Sequence, residues 1–273
     1  MSEIETNDLP EENVPQNTED YGFTFNWMNL IIGAAVFYFG FSIRWPFLIS
    51  LLIVIIIHEM GHIIIGKKFG CMINEVQAFF MTFISYKPKP KPDAKSSWWR
   101  NIKWSFGSLP LGGITYFKER PYYMIYDNED DQLDEKEKAA KSPYLEDKPA
   151  WQRLIISAGG VLFNFATFLI IYLSIKISSN ISPYYSHFLL YNSILAEIMM
   201  ISLVMAVLNF LPIYPLDGGN ILFESYEMIT GKKMSPRFVE ICGMVGFVLI
   251  ILFFFVFPSW TEKLLDPIFG FFF

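Results

Sequence analysis

Charge is what this sequence is short of. Of its 273 residues only 18% are charged, against 53% hydrophobic and 18% aromatic, and the mean hydropathy is +0.34. A soluble domain carries about 25% charge mixed along its length. Here charge is excluded from several runs of about 20 residues, which excludes an ordinary cytosolic globule. Cysteine is nearly absent. Cys71 and Cys242 cannot form a disulfide framework, lack metal-ligand neighbours at a useful spacing, and read as packing residues. The chain has no internal repeats, and its net charge of −6 speaks against a nucleic-acid partner. The first 20 residues hold no Lys or Arg but seven acids and two prolines. That segment lacks the basic start and small-residue cleavage site of a signal peptide, so the first apolar run is expected to be retained. It also cannot bury enough apolar surface to offset its ordering entropy, so residues 1–25 are expected to form a disordered acidic tail.

What is present is apolar length. A spanning helix needs about 20 largely apolar residues, and five stretches qualify: 26–43, 46–66, 152–175, 192–214 and 239–257. The expected fold is an all-α polytopic membrane protein, one membrane-embedded domain over 26–273. Of the 21 Lys and Arg, 15 lie between Lys67 and Arg153, and Lys232, Lys233 and Arg237 follow in the 216–238 loop. By the positive-inside rule both regions face the cytoplasm, with the N-terminus inside and the C-terminus outside. The loop 67–150 is uneven. Residues 87–92 (KPKPKP) read as extended chain, and 127–148 as a charged insert. Trp98 to Tyr116 is aromatic and glycine-rich, too short and polar to cross, and fits a hairpin or re-entrant element flanking Gly112 and Gly113. Trp98, Trp99, Trp104 and Trp151 read as an interfacial belt, and His187 as an ordinary interfacial residue.

The second stretch contains His58-Glu59-Met60-Gly61-His62 in an otherwise apolar helix. Histidines four residues apart share a helix face, so both rings can reach one metal ion. Glu59 is close enough to hold a water beside that ion and to relay its proton to a leaving amine. Ionisable residues in a spanning helix are costly unless functional or paired. Catalytic zinc usually takes three protein ligands. The best third candidate is Asp217, in Asn209-Phe-Leu-Pro-Ile-Tyr-Pro-Leu-Asp217-Gly-Gly219, where prolines and glycines break the helix. Broken backbone at membrane depth is tolerated where it is buried or lines a wet cavity. A capping aspartate at a simple helix end is the plainer alternative. The second and fourth stretches run from outside to inside, so all three candidate ligands share one depth.

These motifs together resemble the site-2 proteases, the intramembrane zinc metalloproteases. HEMGH resembles that family's HExxH, and NFLPIYPLDGG its Asn-x-x-Pro…Leu-Asp-Gly segment. Gly160-Val-Leu-Phe-Asn164 is similar to its Gly-x-x-x-Asn, with Val161 where proline is frequent. The resemblance implies that His58, His62 and Asp217 bind Zn2+ and that Glu59 is the catalytic acid/base. It implies that Asn164 and Asn209 lie near the site, holding substrate or fixing the broken helix. Ser108 to Tyr116, with Gly112 and Gly113, looks like the family's membrane-associated β-hairpin, which would pair with an unwound substrate strand. The implied partners are a transmembrane protein substrate and the lipid bilayer, and the implied location a bacterial cytoplasmic membrane. The resemblance is to a compact form, in which neither a PDZ domain between the third and fourth stretches nor a CBS module after residue 257 is expected. The competing readings are a catalytically silent membrane scaffold or chaperone that retains the metal site, and a metal transporter. Repeated halves and further intramembrane charges would mark the transporter.

Overall fold

A computed structural model describes residues 21–40, 45–89, 102–119, 142–181 and 193–256. The acidic segment 1–20, Trp98 and Trp99, most of the charged insert, His187 and the apolar tail lie outside the described residues. In chain order the elements are β1 (Gly22–Phe25), α1 (Trp27–Gly40), α2 (Trp45–Lys68), β2 (Ile73–Lys87) and β3 (Lys103–Phe117). They continue with a short 3-10 turn (Leu145–Asp147), α3 (Ala150–Ile181), α4 (Ser193–Phe210), α5 (Asp217–Thr230) and α6 (Pro236–Val256).

The chain is mostly helical. Among the described residues two helices, Pro46–Lys68 and Ala150–Ser178, are long and apolar enough to cross a membrane, whereas Ile194–Phe210 is apolar but shorter. Pro46 sits in the first turn of α2, where its missing N–H is not needed. Lys67 and Lys68 close the helix against its negative end. Outward on α3 lie Ile170, Leu173 and Ile177, all exposed, a surface that water penalises and a bilayer would cover.

Two buried clusters join the layers. Ile63 of α2 packs with Ile73, Val76 and Ile102 beneath the strands. Phe168 and Ile175 of α3 pack with Met199 and Met200 of α4. The helices α2 and α3 touch backbone to backbone at Gly61 and Gly159, where a Cβ on Gly159 would come 2.8 Å from the Gly61 carbonyl oxygen. Only small residues permit that approach.

The sheet has the order β1-β2-β3. Both long strands bend, so β2 meets β3 in three sections. One carries Tyr86 opposite Trp104 and Ile84 opposite Phe106, a second carries Val76 opposite Trp104 and Ala78 opposite Phe106, and a third carries Ala78 opposite Gly113 and Val76 opposite Thr115. The bend in β2 places Phe79 and Met81 at φ of 65° and 58°, a region most side chains avoid. α1 is tied to this sheet through Asn29, whose Nδ2 donates to the Thr82 carbonyl at 2.7 Å and whose carbonyl accepts from the Ser108 hydroxyl at 2.7 Å.

Three expectations change. Residues 22–25 are not part of a disordered tail but a strand that extends the sheet. Gly112 and Gly113 do not form a hairpin turn; residues 108–116 all belong to β3, whose partner is the distant segment 73–87. The 216–238 loop contains α5, capped by Gly231 in the left-handed conformation at φ 70°.

Candidate metal centre

α2 presents His58, Glu59 and His62 inward, at 6%, 3% and 8% exposure. The third candidate arrives from the break between α4 and α5. Pro212 and Pro215 stop α4, and the chain turns through hydrogen bonds from Ile213 N–H to the Leu211 carbonyl and from Leu216 N–H to the Ile213 carbonyl. Asp217 then opens α5. The glycines after it are steric requirements: a Cβ on Gly218 would strike the carbonyls of Phe210 and Leu211, and one on Gly219 the backbone of Tyr214. The tight return delivers Asp217 to the two histidines.

The donor atoms converge. Nε2 of His58 lies 3.2 Å from Nε2 of His62, and Oδ2 of Asp217 lies 3.1 and 3.4 Å from them. A tetrahedral ion with bonds of about 2.0–2.1 Å separates its ligand atoms by roughly 3.3–3.4 Å. The Asp217 oxygen is buried and makes no hydrogen bond of acceptable geometry, as expected of a lone pair directed at an ion. Among the described residues, these are the ones grouped closely enough to hold a metal.

The far side of each ring fits the same role. Nδ1 of His62 lies 2.8 Å from the carbonyl of Ile156, which can only accept, so Nδ1 carries the proton and Nε2 keeps its lone pair. Nδ1 of His58 faces the side-chain amide of Asn164 at 3.1 Å, and Asn164 is fully buried. A metal on Nε2 requires a proton on that Nδ1, so the amide must turn its oxygen toward the ring. Gly160 completes the cradle, because a Cβ there would fall against Nε2 of both histidines.

Glu59 is held separately. Thr115 of β3 donates its hydroxyl to Oε2 at 2.6 Å. Gly113, two residues earlier on the same strand face, leaves room for Oε1, which a Cβ would approach to 2.7 Å. Gly112, with φ of 141°, lies beside Phe80 instead. Asn209 spends its amide within its own helix, donating to the Met205 carbonyl at 3.1 Å. Sequence reasoning missed Thr115 and Ile156. The alternation along β3 could have singled out Thr115, but a backbone carbonyl leaves no trace in the residue type.

Two imidazoles and a carboxylate within reach of one ion, with a second carboxylate beside them, are the donor set and acid/base group that a zinc metallopeptidase needs. The sequence profile of peptidase family M50 matches residues 46–189 and 175–253. The chain belongs to this family, the site-2 protease family of zinc metalloproteases. A 63-residue segment is 36% identical to the zinc metalloprotease RasP of Shouchella clausii, covering 23% of this chain and 15% of that protein. A 78-residue segment is 33% identical to the zinc metalloprotease RasP of Oceanobacillus iheyensis, covering 29% of this chain and 17% of that protein. The matches thus span less than a fifth of these relatives.

Proposed function

We propose that this protein is an intramembrane zinc endopeptidase that hydrolyses peptide bonds within or near transmembrane segments. Membrane-anchored signalling proteins and signal-peptide remnants are the substrate class. The convergence of three buried donor atoms beside Glu59 carries this reading. His58, His62 and Asp217 would hold the ion. Zinc, when bound, supplies Lewis acidity that polarises the scissile carbonyl and lowers the pKa of water. Glu59 takes the proton from the attacking water and delivers it to the leaving amine. Thr115 occupies one carboxylate oxygen and leaves Oε1 for that transfer. Gly160 keeps the approach to both Nε2 atoms open, and Asn164 and the Ile156 carbonyl hold the rings in the required tautomer.

A transmembrane substrate hides its carbonyls in helical hydrogen bonds, so it must unwind before cleavage. β3 offers an edge on which an unwound segment can add as a strand, with main-chain bonds supplying affinity for many sequences. The five apolar stretches would span the cytoplasmic membrane of a bacterium, with the N-terminus and the basic loops inside. The strands would then lie at the cytoplasmic interface, and cleavage would fall near the cytoplasmic end of the substrate.

The test uses purified protein with a single-span substrate, comparing the natural sequence with Glu59→Gln and measuring bound zinc in both. Equal zinc with cleavage only by the natural protein is the expected result. Cleavage by Glu59→Gln at the natural rate would defeat the mechanism. Equal zinc without cleavage of any single-span substrate would favour a silent scaffold.

A further inference from the structure

The third ligand stands on an insecure mount. α5 is only 14 residues long and follows α4 through a proline-broken turn that packs Gly218 and Gly219 against residues 210–214, so the turn anchors its first residues rather than its whole length. Something else must fix the rotation and tilt of α5.

α5 packs along α3, and there two of its carboxylates are reached by Arg153. Its Nη2 lies 2.5 Å from Oε2 of Glu227 and its Nε 3.5 Å from Oε1 of Glu224, and its Nη1 donates to the Lys148 carbonyl at 2.7 Å. Glu224 and Glu227 lie two and about three turns along α5 from Asp217. Arg153 is 9% exposed. A buried guanidinium is costly to desolvate and is better explained by the geometry it imposes than by stability. Its planar fork supplies directional bonds that a lysine cannot reproduce.

The position of Arg153 on α3 links it to the rest of the centre. Arg153, Ile156, Gly160 and Asn164 are spaced three, four and four residues apart, one stripe of a single helix. Ile156 fixes His62, Asn164 fixes His58, and Gly160 adjoins both donor nitrogens. Arg153 extends the stripe's polar contacts to the helix that carries Asp217.

We propose that Arg153 is the positioning residue for Asp217, acting through Glu227 and Glu224 to hold α5 in register with the two histidines. The inference rests on the metal-site reading given above. Loss of an outer partner that orients a ligand typically costs about 10- to 100-fold in metal affinity, and that is the size expected here.

The experiment measures zinc affinity by chelator competition in the purified full-length protein, for the natural sequence, Arg153→Gln, Glu227→Gln and the exchange Arg153→Glu with Glu227→Arg. Cobalt-substituted absorption spectra report the coordination geometry in parallel. Folded Arg153→Gln and Glu227→Gln should each bind zinc about 10- to 100-fold more weakly, with altered cobalt bands, and the exchange should recover part of the loss. Variants that merely lost stability would keep both the zinc affinity and the cobalt spectrum, and that result would overturn the positioning role. Should Arg153→Gln fail to fold, Glu227→Gln, which preserves shape, carries the same expectation. Failure of the natural protein to bind zinc would overturn the metal-site reading as well, so the two failures are distinguishable.

Discussion

Each imidazole of the proposed metal centre is oriented by one bond on its far nitrogen, and the two bonds differ in kind. His62 uses a main-chain carbonyl that no substitution at Ile156 removes, whereas His58 depends on the side chain of Asn164. Asn164→Leu should therefore lower zinc affinity by about 10- to 100-fold, measured by chelator competition, while Ile156→Val should leave it near the natural value. Gly160→Ala should be more severe. Its methyl group would fall against both donor nitrogens, so loss of zinc from a protein that still folds is the expected outcome, read as metal content after gel filtration. Thr115→Val leaves zinc in place but frees the Glu59 carboxylate. A hydrogen bond to a charged group contributes about 1.5–3 kcal/mol, so cleavage should slow by roughly 10- to 100-fold, with Thr115→Ser close to the natural rate.

At the scale of elements, the centre depends on how α2, α3 and α5 meet. The Gly61–Gly159 crossing brings two backbones into contact. Gly159→Leu should push the helices apart and lower both the melting temperature and the zinc content. The contact of α5 with α3 brings its own pH dependence. Burial pushes the Glu224 carboxyl up from 4.5 to about 7, with Arg153 and Lys233 opposing and Glu227 reinforcing the rise. The native state thus retains a proton that the unfolded chain releases from pH 4.5 upward. This contribution to stability is complete below pH 4.5 and is lost as pH rises through 7. The melting temperature should fall between pH 5 and pH 8, and Glu224→Gln should flatten that fall. Legibility differed sharply among these elements. His58, Glu59, His62 and Asp217 stood out because metal chemistry demands particular side chains at particular spacings. The break before α5 stood out because proline and glycine leave few alternatives. The partner of β3 did not, since pairing across fifteen unlinked residues or more leaves no local pattern, and Gly112-Gly113 looked like a turn. The strand at 22–25 was hidden because its order comes from an existing sheet edge rather than its own composition. Arg153 passed for one more cytoplasmic charge until its buried partners were seen.

For the whole molecule, membrane residence rests on apolar surface rather than on a charge count. The outward faces of α2 and α3 carry Ile64, Leu162, Ile170 and Leu173, all substantially exposed. The protein should stay with the membrane pellet through an alkaline carbonate wash and leave it only in detergent. Chelation should abolish cleavage without releasing the protein from the membrane, because its residence does not depend on the ion.

The stripe on α3 has a consequence for how such enzymes diversify. The candidate metal ligands and the groups that orient them come from α2, α3 and α5, while the strands touch Glu59 at Gly113 and Thr115 and line the cavity beside it. Selection can therefore rework the strand surface, changing which polypeptides are admitted, while the hydrolytic apparatus stays untouched. A chimera carrying another relative's strands, with those two positions kept, should inherit the donor's substrate preference and the recipient's zinc affinity.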